Sequence, residues 1–235
     1  MLRTVVRRVD DARASRALSS TGRRVRRDRL TYLTAKRLLS LEECAREVNA
    51  QEVPGDFLEC GVALGGSGVL LASMLGPGRH FHGYDVFGMI PPPGPNDLAE
   101  SHERYAEIAA GQSAGLGGDV YYGYRDDLLA QVSESFTRFG LAVGERVHLH
   151  RGLFEDTLNV DGPVALAHID SDWFEPVTTC LERIAPHLSA GGLIVLDDYH
   201  DYGGCRAAVE AYIAGRKELQ LRPLTETMSI VRVAP

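Results

Sequence analysis

Two apolar runs, residues 164–169 and 193–196, constrain this chain most, because each ends in carboxylates: Asp170 and Asp172 after the first, Asp197 and Asp198 after the second. Between them Val177, Leu181, Ile184 and Leu188 recur at helical spacing, and Gly191-Gly192 is expected to close that helix. A strand–helix–strand unit of this kind pairs its strands in parallel through a right-handed crossover. Ligands of open α/β sheets bind at the carboxyl ends of the strands, where all four aspartates are expected. Asp170 and Asp172, two apart on a strand, share a face. Asp197 and Asp198, being adjacent, reach one cleft only where the backbone turns. Four convergent carboxylates repel unless a cation or shared protons offset them. Hard cations such as Mg²⁺ take oxygen ligands and keep positions for water or substrate. A divalent metal is therefore the first expectation, with solvated loop aspartates as the alternative.

The rest of the chain supplies matching units. Residues 29–48 carry Leu30, Leu33, Leu38, Leu41, Ala45 and Val48 at helical spacing, and Pro54-Gly55 opens the main domain. A strand over 56–62 runs into Gly65, Gly66, Ser67 and Gly68 and a helix to about residue 75. Glycines at such a turn let the backbone approach a ligand closely. A second strand, 80–86, places Asp85 near its end, where an acid accepts hydrogen bonds from ribose hydroxyls. The pair marks a nucleoside-containing cofactor without naming it. Asn96-Asp97 is expected to cap a helix to about residue 110. Residues 111–124, with five glycines and three tyrosines, read as a substrate-side lid within an insertion at about 88–124. Helical spacing returns over 125–139. A third strand, 146–150, alternates apolar residues with His148 and His150, expected to face a helix or solvent rather than a ligand. Residues 203–216 read as a helix, and 221–225 against 228–233 as a hairpin. The expected fold is α/β, a mostly parallel seven-stranded sheet with an antiparallel last strand and an N-terminal helical extension.

At 235 residues the chain suits one α/β domain over 51–235, preceded by a basic arm and helix over 1–50. The net charge of −7 hides ten arginines in residues 1–29, an arm expected to pack on an acidic partner subunit of a homo-oligomer, a dimer. The arm lacks interleaved aromatics and a DNA-binding motif, so nucleic acid is not expected as a partner. Four widely spaced cysteines without a CxxC pair fit a reducing cytoplasm. No apolar run approaches the length of a membrane span, and no secretory leader is expected.

Taken together, VPGDFLECGVALGG, FEDTL, IDSDWFE, LSAGGLIVLDDY and GCRAAVEAY resemble the macrocin and mycinamicin sugar O-methyltransferases, with their aminocoumarin-type relatives, over about residues 30–216. The resemblance implies a class I fold, S-adenosylmethionine and Mg²⁺ as cofactors, and a hydroxyl of a deoxysugar, glycosidic or nucleotide-linked, as acceptor. It assigns Asp170, Asp197 and Asp198 to the metal and Asp172 to the general base, with Asp170 as the alternative base. It assigns Glu59, Gly61, Ser67, Asp85, Gly152, Phe154 and Asp170 to the cofactor pocket, and Thr31 and Tyr32 to a segment closing over it. Two positions depart from the family pattern: Phe174 stands where tyrosine is common, and Ala63-Leu64 where an aromatic and a charged residue often precede the glycines.

A sugar hydroxyl is hardly ionised at neutral pH, so methylating it needs a lowered pKa, a base and alignment. An aspartate cluster supplies these for a diol. Asp170-Ser171-Asp172 also fits the DxD motif of a nucleotide-sugar glycosyltransferase, and the glycine turn with Asp85 also fits a nicotinamide dehydrogenase. A non-catalytic binding or assembly protein would account for the basic arm.

Overall fold

The computed structural model describes residues 11–233. Residues 11–17 are helical (α1), followed by α2 (Ser20–Arg27) and α3 (Ala35–Ala50). The sheet then forms from β1 (Asp56–Cys60), β2 (Phe81–Asp85), β3 (Val147–Arg151), β4 (Val164–Ile169), β5 (Leu188–Leu196), β6 (Leu219–Pro223) and β7 (Met228–Arg232). Its order is β3-β2-β1-β4-β5-β7-β6, with β7 antiparallel to both β5 and β6 and all other pairs parallel. The helices α4 (Gly66–Ala72), α5 (Ala99–Ala109), α6 (Leu128–Arg138), α7 (Phe154–Thr157), α8 (Phe174–Ile184) and α9 (Gly203–Ile213) complete the chain. The expected seven-stranded, mostly parallel sheet is present.

Strand β4 is buried at every position, as a near-continuous apolar run in a parallel sheet requires. One core lies between the sheet and α2, α3, α4 and α6, built on Phe57, Phe81, Phe136 and Leu38. The other lies under α8 and α9, built on Leu58, Ile169, Val177 and Ile194. The chain order reverses between β1 and β4, so the crevice for a ligand opens there.

Several boundaries differ from the expectation. Helix α8 ends at Ile184, because Pro186 cannot extend it, and residues 185–187 form one 3₁₀ turn. Leu188 consequently begins β5, opposite Val164, and Gly191-Gly192 lie inside that strand at a register shift. Helix α3 starts at Ala35, capped by Thr34, and residues 29–34 form an irregular segment before it. Asp97 caps no helix of its own. Its carboxylate accepts from the amides of Gly94 and Phe174, so it fastens the insertion to the start of α8.

The first ten residues of the arm lie outside the described residues. Residues 11–28 pack on the body of this chain, with Leu18 and Val25 buried in the first core and α2 on α4. The fully buried Glu42 carboxylate anchors them, accepting from the Ser19 amide at 3.0 Å and hydroxyl at 2.7 Å, with Arg46 as counter-ion. The four cysteines are buried and unpaired.

Candidate active site

At the end of β1 the chain must pass within contact distance of β4, and Gly61 allows it. Its φ is +94°, and a Cβ there would collide with the Asp170 carbonyl oxygen. At Gly66 a Cβ would strike the Leu30 carbonyl, which accepts from the Gly66 amide at 2.8 Å and draws the segment over residues 29–34 onto the turn. Asp85 stands at the end of β2, as expected. Its Oδ2 accepts from the amides of Val62 at 2.7 Å and Ala63 at 2.9 Å, and its Oδ1 from Phe87 at 2.6 Å. A carboxylate offers about four lone-pair sites, so Asp85 chiefly ties the turn after β1 to the end of β2 and retains little capacity for a ligand. Burial nonetheless raises its pKa.

A cavity of about 870 Å³ opens at this edge. The main chain turns into 3₁₀ geometry at Asp197, which lets Asp197 and Asp198 both face the cavity opposite Asp170 and Asp172. One carboxylate oxygen from each of Asp170, Asp197 and Asp198 lies within 4.8 Å of the others. Asp197 Oδ1 and Asp198 Oδ2 are buried without a hydrogen-bond partner. Burial raises Asp170 to about 8, with Asp197 adding to it, and raises Asp172 to about 6, again with Asp197 adding. Asp198 is pushed well up by burial, then by Asp172 and Asp170. Such a set tolerates its charge only beside cations, and Asp170, Asp197 and Asp198 are the residues that could hold a hard one.

Two cationic groups bracket Asp197. Arg37, from the first turn of α3, donates to Asp197 Oδ2 at 2.5 Å and also to Asp201. From below, the fully buried His168 places Nε2 3.8 Å from Asp197 Oδ1, too far for a hydrogen bond but close enough to attract it. The other ring nitrogen is 2.9 Å from Glu59 Oε1. Burial opposes the imidazolium, yet Asp197 and Glu59 outweigh it and raise His168 to about 10.

Of the residues assigned from sequence, Tyr32, Gly61, Asp85, Gly152, Phe154, Asp170, Asp172, Asp197 and Asp198 line the cavity. Glu59 and Ser67 do not: both are buried beneath it, with Glu59 holding His168. Thr31 turns its hydroxyl to the Leu33 amide. Phe174 packs among core residues and does not itself line the cavity. Trp173 does line it, fixed by its indole N–H on the Pro91 carbonyl at 3.1 Å, as does Tyr122, against whose ring Tyr32 stands edge-on at 5.9 Å. The segment 29–34 and the insertion thus meet over the opening. Arg37, His168 and Trp173 escaped the sequence reading. Only His168 left a signal, a polar residue inside an apolar run two positions before Asp170.

The sequence profile of Macrocin-O-methyltransferase (TylF) matches residues 2–227. A Streptomyces olivaceus enzyme, 8-demethyl-8-(2,3-dimethoxy-alpha-L-rhamnosyl)-tetracenomycin-C 4'-O-methyltransferase, is 34% identical over 188 residues, 77% of this chain and 67% of that protein. Mycinamicin III 3''-O-methyltransferase of Micromonospora griseorubida is 31% identical over 190 residues, 77% of this chain and 69% of that protein. Among solved structures, the O-methyltransferase NovP superposes with a TM-score of 0.73 at 25% identity, over 88% of this chain and 83% of that one. These matches set aside the glycosyltransferase, dehydrogenase and non-catalytic readings. The chain belongs to the macrocin O-methyltransferase (TylF) family and is an S-adenosylmethionine-dependent O-methyltransferase.

Proposed function

We propose that this enzyme methylates a hydroxyl of a sugar unit carried by a small natural-product acceptor, and that it does so with Mg²⁺ held by Asp170, Asp197 and Asp198. The observation that carries the reading is the pair of buried, unpartnered oxygens, Asp197 Oδ1 and Asp198 Oδ2, beside Asp170 at the cavity floor. A hard cation fits that all-oxygen donor set. The two relatives above act, by their names, on a rhamnosyl tetracenomycin and on a mycinamicin.

When bound, S-adenosylmethionine supplies an electrophilic methyl group, and Mg²⁺ lowers the pKa of a hydroxyl beside it. Gly61, Gly152 and Phe154 would hold the cofactor along the β1–β4 crevice, with Tyr32 over it and Asp85 shaping the turn beneath it through the Val62 and Ala63 amides. Asp172 is the base: raised only to about 6, it is ionised at neutral pH and able to take the hydroxyl proton. Asp170, raised further to about 8, suits a role that a cation must stabilise. Tyr32, Tyr122 and Trp173 exclude water from the reacting atoms.

The test is methyl transfer to a panel of deoxysugar-bearing glycosides and nucleotide-linked deoxysugars, before and after chelation. Turnover abolished by EDTA and restored by Mg²⁺ is expected, with Asp197→Asn weakening Mg²⁺ binding but not that of S-adenosylmethionine. Full activity after exhaustive chelation would sink the metal, and transfer to none of the sugars would sink the acceptor class.

A further inference from the structure

Helix α5 descends into the cavity along one face. Glu100, Arg104 and Ile108, spaced by four residues, all line the wall. Their exposure falls along the helix: Glu100 is exposed, Arg104 half-buried and Ile108 buried. The inner end is held by the Tyr124 hydroxyl, which donates to the Ile108 carbonyl at 2.5 Å. At the outer end Leu98, the residue before the helix, lies against the start of α9, so closely that a Cβ on Gly203 would strike its side chain. A site carried on a helix fixed at both ends keeps its geometry better than one on a loop.

Two arginines line the wall, and the aspartates take only one of them. Arg37 is bonded to Asp197 and Asp201. Arg104 donates to Glu107 at 3.0 Å, an i,i+3 pair whose glutamate is largely exposed. A guanidinium has five N–H donors, so one such bond leaves most of the fork available. Tyr121 of the insertion and Tyr202 ahead of α9 share the cavity with Arg104 and act on its charge. Burial pushes both phenols up, so at neutral pH each can donate and accept. Asp172 belongs to the same surroundings: burial and Asp197 raise it, and the Arg104 guanidinium pulls it the other way.

We propose that Arg104, with Tyr121 and Tyr202 beside it, selects the acceptor by holding neutral hydroxyl and ether oxygens of the sugar next to the hydroxyl to be methylated, rather than a phosphate. This rests on the sugar reading above. An isolated arginine would prefer an anion. Here Glu100 precedes Arg104 by one turn on the same face, Glu107 already bonds it, and the four aspartates share the cavity. Even with one divalent cation bound, a phosphate drawn to the guanidinium would meet more negative charge than positive. Neutral oxygens accept the same hydrogen bonds without that repulsion.

Trp173, the only tryptophan in the chain, lines the same cavity with its ring edge-on to Tyr202 at 5.4 Å, so its fluorescence reports binding there without turnover. The probe is methyl α-L-rhamnopyranoside, a neutral deoxysugar glycoside, titrated into the full chain with S-adenosylhomocysteine and Mg²⁺ present. A dissociation constant in the millimolar range is expected. Arg104→Met should weaken the rhamnoside about 10- to 100-fold, as loss of a charge-assisted hydrogen bond does, with S-adenosylhomocysteine affinity kept within about twofold. Glu107→Gln, which alters only the outer partner, should leave both affinities within about twofold. α-L-Rhamnose 1-phosphate should bind the unmutated protein more weakly than the rhamnoside. Undiminished rhamnoside affinity in Arg104→Met, an equal loss of S-adenosylhomocysteine, or tighter binding of the sugar phosphate overturns this inference and leaves the sugar reading in place. No response of the unmutated protein to the rhamnoside overturns both.

Discussion

Two parts of this sheet crowd four titratable side chains together, and they resolve the crowding in opposite ways. At the carboxyl ends of β4 and β5, Asp170, Asp172, Asp197 and Asp198 converge with pKa values raised and two oxygens lacking partners. On the face of β2 and β3, four imidazoles pair with one another, and burial lowers the pKa of His82 and His150. Neutral rings can share protons, so the histidine patch is satisfied without any ligand. Ionised aspartates have only acceptors, so beyond Arg37 the cluster needs an added cation or shared protons to offset its charge. The difference separates a site the fold merely tolerates from one it holds in reserve for chemistry.

The comparison breaks most easily at Asp172. Asp172→Asn is expected to lower kcat by about 10²–10⁴ with cofactor affinity retained, as loss of a general base does. His148→Gln should leave kcat within about twofold. Single-turnover assays on the two variants check this, and near-native turnover in Asp172→Asn would return the base to Asp170.

A smaller effect, on stability rather than rate, is expected beneath the cluster. Glu59→Ala removes the hydrogen-bonded counter-ion of the buried His168, leaving only the more distant charges of Asp197 and Asp170, and should cost about 3–5 kcal/mol in urea unfolding. Glu59→Gln, which keeps an acceptor, should cost distinctly less. Equal losses would mean that volume, not charge, matters at that position.

A third effect is a slope. In metal-free protein the raised pKa values of Asp170 and Asp172 mean that the folded state binds more protons than the unfolded one. The stability they confer is complete below about pH 4 and is lost as pH rises through about 6 and then about 8. Added Mg²⁺ should flatten that decline. A profile of unfolding free energy against pH, with and without Mg²⁺, reads it directly, and two superimposable profiles would remove the cation from the cluster.

Much of this could be read before folding. The apolar runs with acidic ends fixed the strand edge, and the strand-end position of Asp85 followed from the same pattern. What period and spacing could not carry was who meets whom. The family resemblance alone assigns Glu59 to the cofactor pocket; parallel pairing sets it opposite His168 beneath the cavity, where the two side chains bond each other. Arg37 lies 160 residues from Asp197 in the chain, a separation at which no local pattern speaks. Gly191-Gly192 misled for the opposite reason: glycine marks helix ends and strand irregularities alike, and Pro186 had already ended the helix.

The fastening of the insertion by Asp97 and Trp173 has an evolutionary consequence. Both anchors rest on the first residues of α8 and its lead-in, Phe174 and Trp173, while the far end of the insertion leads into α6 on the other side of the crevice. Residues 98–124 are thus a span between two fixed footings, and neither footing is one of the four clustered aspartates. Selection can rewrite the span for a new acceptor as one cassette, provided the Asp97 carboxylate and the tryptophan indole are carried over with it.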